Sequence, residues 1–85
     1  MRNRKQIETS FHPIIISIMK RYRAKHSLSQ EAFARKLKMS ARSYSDLEHG
    51  ITFPSGLTFA LFMMMLDSTE LKEALDELAG NIALM

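Results

Sequence analysis

The stretch Leu28-Ser29-Gln30-Glu31-Ala32-Phe33-Ala34-Arg35-Lys36-Leu37-Lys38-Met39-Ser40-Ala41-Arg42-Ser43-Tyr44-Ser45-Asp46-Leu47-Glu48-His49-Gly50 holds two short helical segments, each with its own start signal. Ser29 is placed as an N-cap, its hydroxyl free to accept from an orphan amide, while Leu28 and Phe33 flank it as a hydrophobic staple. Ser40 repeats the arrangement with Met39 and Tyr44 as the staple pair, and Gly50 stands where a left-handed residue commonly ends a helix. The spacing predicts helices over about 30–37 and 41–49. Lys38 and Met39 leave too little chain for an antiparallel pair, so the helices are expected to cross at a large angle. Ala34, small and mid-helix, admits a close neighbour, and Leu37, Tyr44 and Leu47 turn inward by helical spacing.

Taken with Leu28-Ser29-Gln30, Phe33-Ala34, Leu47-Glu48-His49-Gly50 and Pro54-Ser55, the chain resembles helix-turn-helix proteins of the Cro/phage-repressor type, the XRE family, over roughly residues 14–66. The resemblance implies an all-α, five-helix lambda-repressor-like fold whose second motif helix enters the DNA major groove. Two departures stand out. Lys38 occupies the turn position where the family often has glycine, so keeping the left-handed geometry there costs about 1 kcal/mol. Ala41 and Arg42 stand where phage repressors often carry glutamine, which leaves the operator sequence unassigned.

Size and charge narrow the remaining choices. Eighty-five residues make one small domain, and the lack of cysteine excludes disulfides and thiolate sites. The apolar run Ile14-Ile15-Ile16 breaks at Ser17 and ends at Lys20, too short for a signal peptide or a membrane span, so a cytoplasmic location is expected. Net charge is only +3, yet residues 1–42 carry eleven cations against Glu8 and Glu31, a net of +9. Residues 43–85 carry Lys72 against seven carboxylates, a net of −6. A basic half that coincides with the motif reads as a phosphate-facing half.

Around the motif, residues 1–10 are polar and without apolar period, and read as a flexible basic N-terminal arm ahead of a single domain over 11–85. Pro13 suits a first helical turn, with Ile14, Ile15, Ile18 and Tyr22 continuing the helix to about His26. Ile51-Thr52-Phe53-Pro54 reads as a loop, and Ser55 caps a fourth helix to Leu66 that is apolar almost all round and expected to be buried on two sides. Asp67 and Glu70 form a capping-box pattern that opens a fifth helix over about 68–79, with Gly80-Asn81 as its interruption. Leu71, Leu75, Leu78, Ile82 and Met85 recur at alternating spacings of four and three, a seam that suits either a final core helix or, with the exposed side of the fourth helix, a two-fold dimer interface.

On the second motif helix, Arg42, Ser45, Asp46 and His49 share one face opposite Tyr44 and Leu47, with Ala41 and Ser43 beside it. Ala41, Arg42, Ser45, Asp46 and His49 are therefore the candidate base readers: Arg42 suits a guanine edge and Ala41 a thymine methyl. Asp46 suits cytosine N4 or an intrahelical pair with Arg42, four residues away. Gln30, Ser43, Arg35 and Lys38 are the candidate phosphate contacts. By the resemblance, Arg23 pairs with Glu48 and ties the first helix to the reading helix.

His12, His26 and His49 lack metal-ligand spacing, and Ser45, Asp46 and His49 have neither pocket nor oxyanion donors, so neither a metal, a cofactor nor catalysis is expected. Met63-Met64-Met65 at helical spacing reads first as core. The reading that follows is a sequence-specific, operator-binding homodimer of prokaryotic or phage type. The alternative is an antitoxin or other protein-binding module that engages a protein partner through its Met- and Leu-rich C-terminal half. A membrane-surface binder fails for want of a long amphipathic stretch with a basic polar face.

Overall fold

The computed structural model describes residues 3–83 and places five helices in this order: α1 Arg4–Lys25, α2 Gln30–Lys36, α3 Ala41–Glu48, α4 Gly56–Met65 and α5 Ser68–Ala83. The described residues contain no strand. Four of the starts are side-chain caps: Asn3 accepts from the Gln6 amide, Ser29 from Ala32, Ser40 from Ser43 and Ser55 from Thr58. Each satisfies one orphan amide, a contribution of about 1 kcal/mol. Asp67 and Glu70 close a reciprocal box at the start of α5, each side chain accepting from the other's backbone amide.

The turn between α2 and α3 keeps the left-handed geometry despite its lysine. Lys38 has φ 60° and Gly50 φ 73°, and Ser27, in the turn from α1 to α2, has φ 54°. Lys38 and Ser27 therefore carry the strain that a glycine avoids, while Gly50 relieves it at the end of α3.

Ile15, Met19, Phe33, Leu37, Tyr44 and Phe62 are the largest fully buried side chains. Phe33 is the hub. It packs edge-on against Tyr44 at 5.1 Å and against Phe62 at 6.0 Å, and stacks on Tyr22 at 5.7 Å, so α1, α2, α3 and α4 meet at one ring. Truncating such a ring removes about 3–5 kcal/mol. Ala34 is fully buried, as close packing of α2 and α3 requires.

Three expectations from the flanks are corrected. Residues 4–10 are not a flexible arm, because α1 begins at Arg4 behind a capping box in which Asn3 and Gln6 serve each other's amides. Pro13 then lies inside the helix rather than at its start, where its missing amide removes one helical bond, that to the Thr9 carbonyl. Packing on both sides of that defect holds the helix: ahead of it Phe11 meets Phe59 at 5.8 Å and His12 stacks on Phe53 at 4.1 Å, and beyond it Ile15 and Ile16 are buried. α5 also runs through Gly80 and Asn81 to Ala83, since the Asn81 side chain donates back to the Glu77 carbonyl at 2.8 Å.

The burial pattern of α5 differs from the expectation as well. On α4, Thr58 and Phe62 are buried and Phe59, Leu61, Met63 and Met65 pack half-buried against the core on either side of them, while Leu57, Ala60 and Met64 lie exposed on the remaining face. Within the expected dimer seam, Leu78 is only 6 % exposed and belongs to the core with Ala74, because α5 packs along α1 on that side. Leu71 is half-buried, Leu75 is 49 % exposed, and the side chains of Ile82 and Met85 lie outside the described residues.

Candidate nucleic-acid interface

α3 is held from behind by one carboxylate. Glu48, with a side chain only 6 % exposed, receives Arg23 Nε on Oε2 at 2.7 Å and Arg23 Nη2 on Oε1 at 3.1 Å. Gln30 Nε2 donates to Oε1 at 2.9 Å, and the Tyr44 hydroxyl donates to Oε2. Arg23 Nη1 also donates to the Leu28 carbonyl at 3.0 Å, so one guanidinium fixes the chain ahead of α2 and the end of α3 together. Burial by itself raises the Glu48 carboxyl. The bonds from Arg23, Tyr44 and Gln30 outweigh it and hold the group below its ordinary value. Burial, and then the neighbouring carboxylate, push the Tyr44 phenol up, so it remains a donor.

The opposite side of α3 is open. Ala41, Arg42, Ser43 and His49 are exposed and Ser45 and Asp46 half-buried, while Tyr44 and Leu47 point inward. Arg42 forms no ion pair with Asp46 or any other carboxylate among the described residues, so its guanidinium is unclaimed. At the N-terminus, Ser40 Oγ donates to Ser43 Oγ at 2.9 Å, which leaves the Ser43 hydroxyl hydrogen free. At the C-terminus, His49 Nδ1 lies 2.7 Å from the Ser45 carbonyl. A carbonyl only accepts, so Nδ1 carries the hydrogen and Nε2 is the ring nitrogen left for a partner.

The +9 half does not face outward as a whole. Arg21 binds Glu77 through both carboxylate oxygens at 2.6 and 2.7 Å, Arg23 binds Glu48, and Lys25 binds Glu70 at 2.9 Å with His26 at 2.8 Å on the same oxygen. Three cations of α1 are thus neutralised within the fold. Around the motif, Lys36, Lys38 and Arg42 have no carboxylate partner among the described residues, and Arg35 meets Glu31 only at 4.0 Å with both side chains well exposed. Such a surface pair contributes little. Of the cations left without a carboxylate partner among the described residues, Lys36, Lys38 and Arg42 stand at the turn and the helix ends beside it, and Lys5 and Lys20 stand on α1.

A helix-turn-helix family model matches residues 19–72, which is more than half of the chain. The chain belongs to that family, in its Cro/phage-repressor, XRE branch. Comparisons with curated proteins and with solved structures gave no significant match. This helix-turn-helix protein is a DNA-binding transcription regulator of XRE type. Among its described residues no helix is long and apolar enough to cross a membrane, and no group of three His, Cys, Asp or Glu side chains is placed to hold a metal ion.

Sequence reasoning from the motif missed two members of the Glu48 cluster. Tyr44 and Glu48 are one turn apart on α3, and a buried tyrosine needs a partner for its hydroxyl, so that pair was open to inference. Gln30, expected at a phosphate, has its side-chain amide engaged by Glu48, and no local pattern signals that contact across 18 residues.

Proposed function

We propose that this helix-turn-helix protein is a cytoplasmic regulator of prokaryotic or phage type that occupies a DNA operator as a homodimer and controls transcription by that occupancy without a cofactor. The observation that carries the reading is the two-sided character of α3: a polar face of Ala41, Arg42, Ser45, Asp46 and His49, backed by a buried cluster on Glu48 that fixes its orientation. Rigid support behind a reading surface is what discrimination requires, since a bidentate contact to a base edge is worth about 1–3 kcal/mol only when the side chain is held in place.

Arg42, unclaimed by Asp46, is assigned to a guanine edge, and Ala41 to a thymine methyl. Ser45, Asp46 and His49 complete the base-reading set. Ser43, with a free hydroxyl hydrogen, and Lys38 and Arg35, beside the turn, are assigned to phosphates; these contacts set register and carry no sequence information. Gln30 reaches phosphate through its backbone amide at the start of α2, its side chain being held by Glu48. In a two-fold dimer the reading helices fall one DNA turn apart, so the operator is a pseudo-palindrome with half-site centres about 34 Å, or roughly 10 bp, apart or a multiple of that.

Selection of bound duplexes from a random pool at low salt tests the proposal. Enrichment of a pseudo-palindrome, with affinity falling steeply as salt rises, is the expected result. A pool with no enrichment and no measurable duplex affinity at low salt overturns it.

A further inference from the structure

α1 carries two stripes. Ile15, Ile18, Met19 and Tyr22 pack into the core, while Pro13, Ile16, Ser17 and Lys20 recur at helical spacing on an adjoining face. Ile16 is only 8 % exposed, yet it does not join the core cluster around Phe33. It lies instead in a groove of about 510 Å³, between α1 and the segment that ends α3 and leads toward α4. Pro13, Ile16 and Phe53 are its apolar part, and Lys20, Arg21 and His49 border it with polar groups. Pro13 and Ile16 stand ahead of the residues that the family model matches, so this wall belongs to the chain's own α1. A few converging polar groups beside an apolar surface of this volume have the chemistry of a small-molecule site.

The charges around the groove resolve to one. Arg21 is held by both oxygens of Glu77 at 2.6 and 2.7 Å, and Glu48, which also borders the groove, is held by Arg23. Lys20 is exposed and has no carboxylate partner among the described residues. His49 keeps its Nδ1 hydrogen on the Ser45 carbonyl, which leaves Nε2 for a ligand. Phe53 is fixed by its stacking on His12 at 4.1 Å and is still 53 % exposed, so an aromatic surface is ordered before a ligand arrives.

Pro13 and Lys20 are seven residues apart, about 10 Å along the helix. That is the length of a ring with a short acid side chain. One unpaired cation matches a monoanion, whereas a phosphate dianion would leave a charge uncompensated beside Glu48. We propose that the groove binds a small aromatic carboxylate, with its ring on Pro13, Ile16 and Phe53 and its acid on Lys20, and that the bound acid weakens DNA binding by engaging His49. The site stands on the groove alone. The coupling rests on the operator-binding reading above, in which His49 is a base reader.

The test follows the backbone amides of the full, nitrogen-15-labelled chain by NMR during titration with benzoate, phenylacetate and indole-3-acetate. Acetate supplies the charge without the ring, and phenylacetamide the ring without the charge. At least one ring acid is expected to saturate with a Kd of about 1 mM, moving the amides of Ile16, Lys20, Gly50 and Phe53. It should bind about tenfold more tightly than either control, and Lys20→Gln, a change on an exposed side chain, should lose about tenfold, as for a bond to a charged group. On the selected duplex the saturating acid should weaken affinity about tenfold, and the duplex should weaken acid binding by the same factor.

No saturation by any of the three acids up to about 10 mM overturns the site. Acetate that matches the ring acids, phenylacetamide that matches phenylacetate, or full affinity in Lys20→Gln overturns it as well, since each removes the ring or the charge from recognition. A groove that saturates while duplex affinity stays constant overturns the coupling. Failure of the DNA reading is separate: a chain whose groove saturates but which enriches no duplex refutes operator binding and keeps the site.

Discussion

Tyr44 donates its phenolic hydrogen bond to Glu48, one turn further along α3, on the carboxylate oxygen that Arg23 Nε also holds from α1. α3 thus carries its own brace on its inner face. Glu48→Ala should leave the Arg23 guanidinium, 26 % exposed, without its counter-charge. The loss for a dry pair is about 3–5 kcal/mol, and the edge of Arg23 that reaches water places this case near the lower limit. Tyr44→Phe removes one bond to a charged group and should lose about 1.5–3 kcal/mol. Urea unfolding of both variants checks the order. A Glu48→Ala protein as stable as wild type refutes the brace.

Acid should destabilise the fold through Glu70. Its carboxyl is lowered from 4.5 to about 2, first by the Asp67 backbone amide and then by His26 and Lys25. Because the folded value lies below the unfolded one, the contribution is complete above about pH 4.5 and is lost as pH falls toward 2. The urea midpoint of wild type should therefore drop between pH 5 and pH 3. Glu70→Gln should flatten that limb. An unchanged slope assigns the acid sensitivity to other carboxylates.

Lys38 sets stability against binding. Its φ of 60° is a conformation that glycine adopts freely, so Lys38→Gly should stabilise the fold by up to about 1 kcal/mol. The same change removes a cation at the turn, and with it one phosphate contact, so duplex affinity should fall and the salt slope should shrink by about one. Melting and salt titration on one variant show both effects. A stabilised variant with unchanged salt dependence removes Lys38 from the phosphate set.

Arg42 and Gln30 should separate base choice from support of α3. Arg42→Ala is expected to relax preference at one or two base pairs, because its guanidinium is free of Asp46 and aimed outward. Gln30→Ala keeps the backbone amide assigned to phosphate, so base preference should be unchanged, while stability should fall by about 1.5–3 kcal/mol, since its side chain bonds Glu48. Selection profiles for the two variants provide the comparison. An unchanged profile for Arg42→Ala moves base reading elsewhere on α3.

What was legible in the chain is local. Ser29, Ser40 and Ser55 announce three helix starts because a cap needs only the next few residues, and Gly50 marks an end for the same reason. The start of α1 is less legible, because Pro13 offers a more conspicuous first turn than the capping box of Asn3 and Gln6. Periodicity placed Leu37, Tyr44 and Leu47 inward and the polar side of α3 outward.

By itself the sequence determined the motif, the order of the helices and the composition of the outward face of α3, since each follows from caps, turns and spacing within a few residues. Only the tertiary structure decided which charges remain for a ligand. Arg21 meets Glu77 across 56 residues, Lys25 meets Glu70 across 45 and Arg23 meets Glu48 across 25, and no local pattern records such pairings. It also decided that Pro13 stays helical just past the Phe11 and His12 contacts, that Leu78 is core, and that Leu57 and Met64 are left in the open. The physical reason is the same in each case: periodicity defines the faces of a helix, but the elements packed against it choose which face is covered.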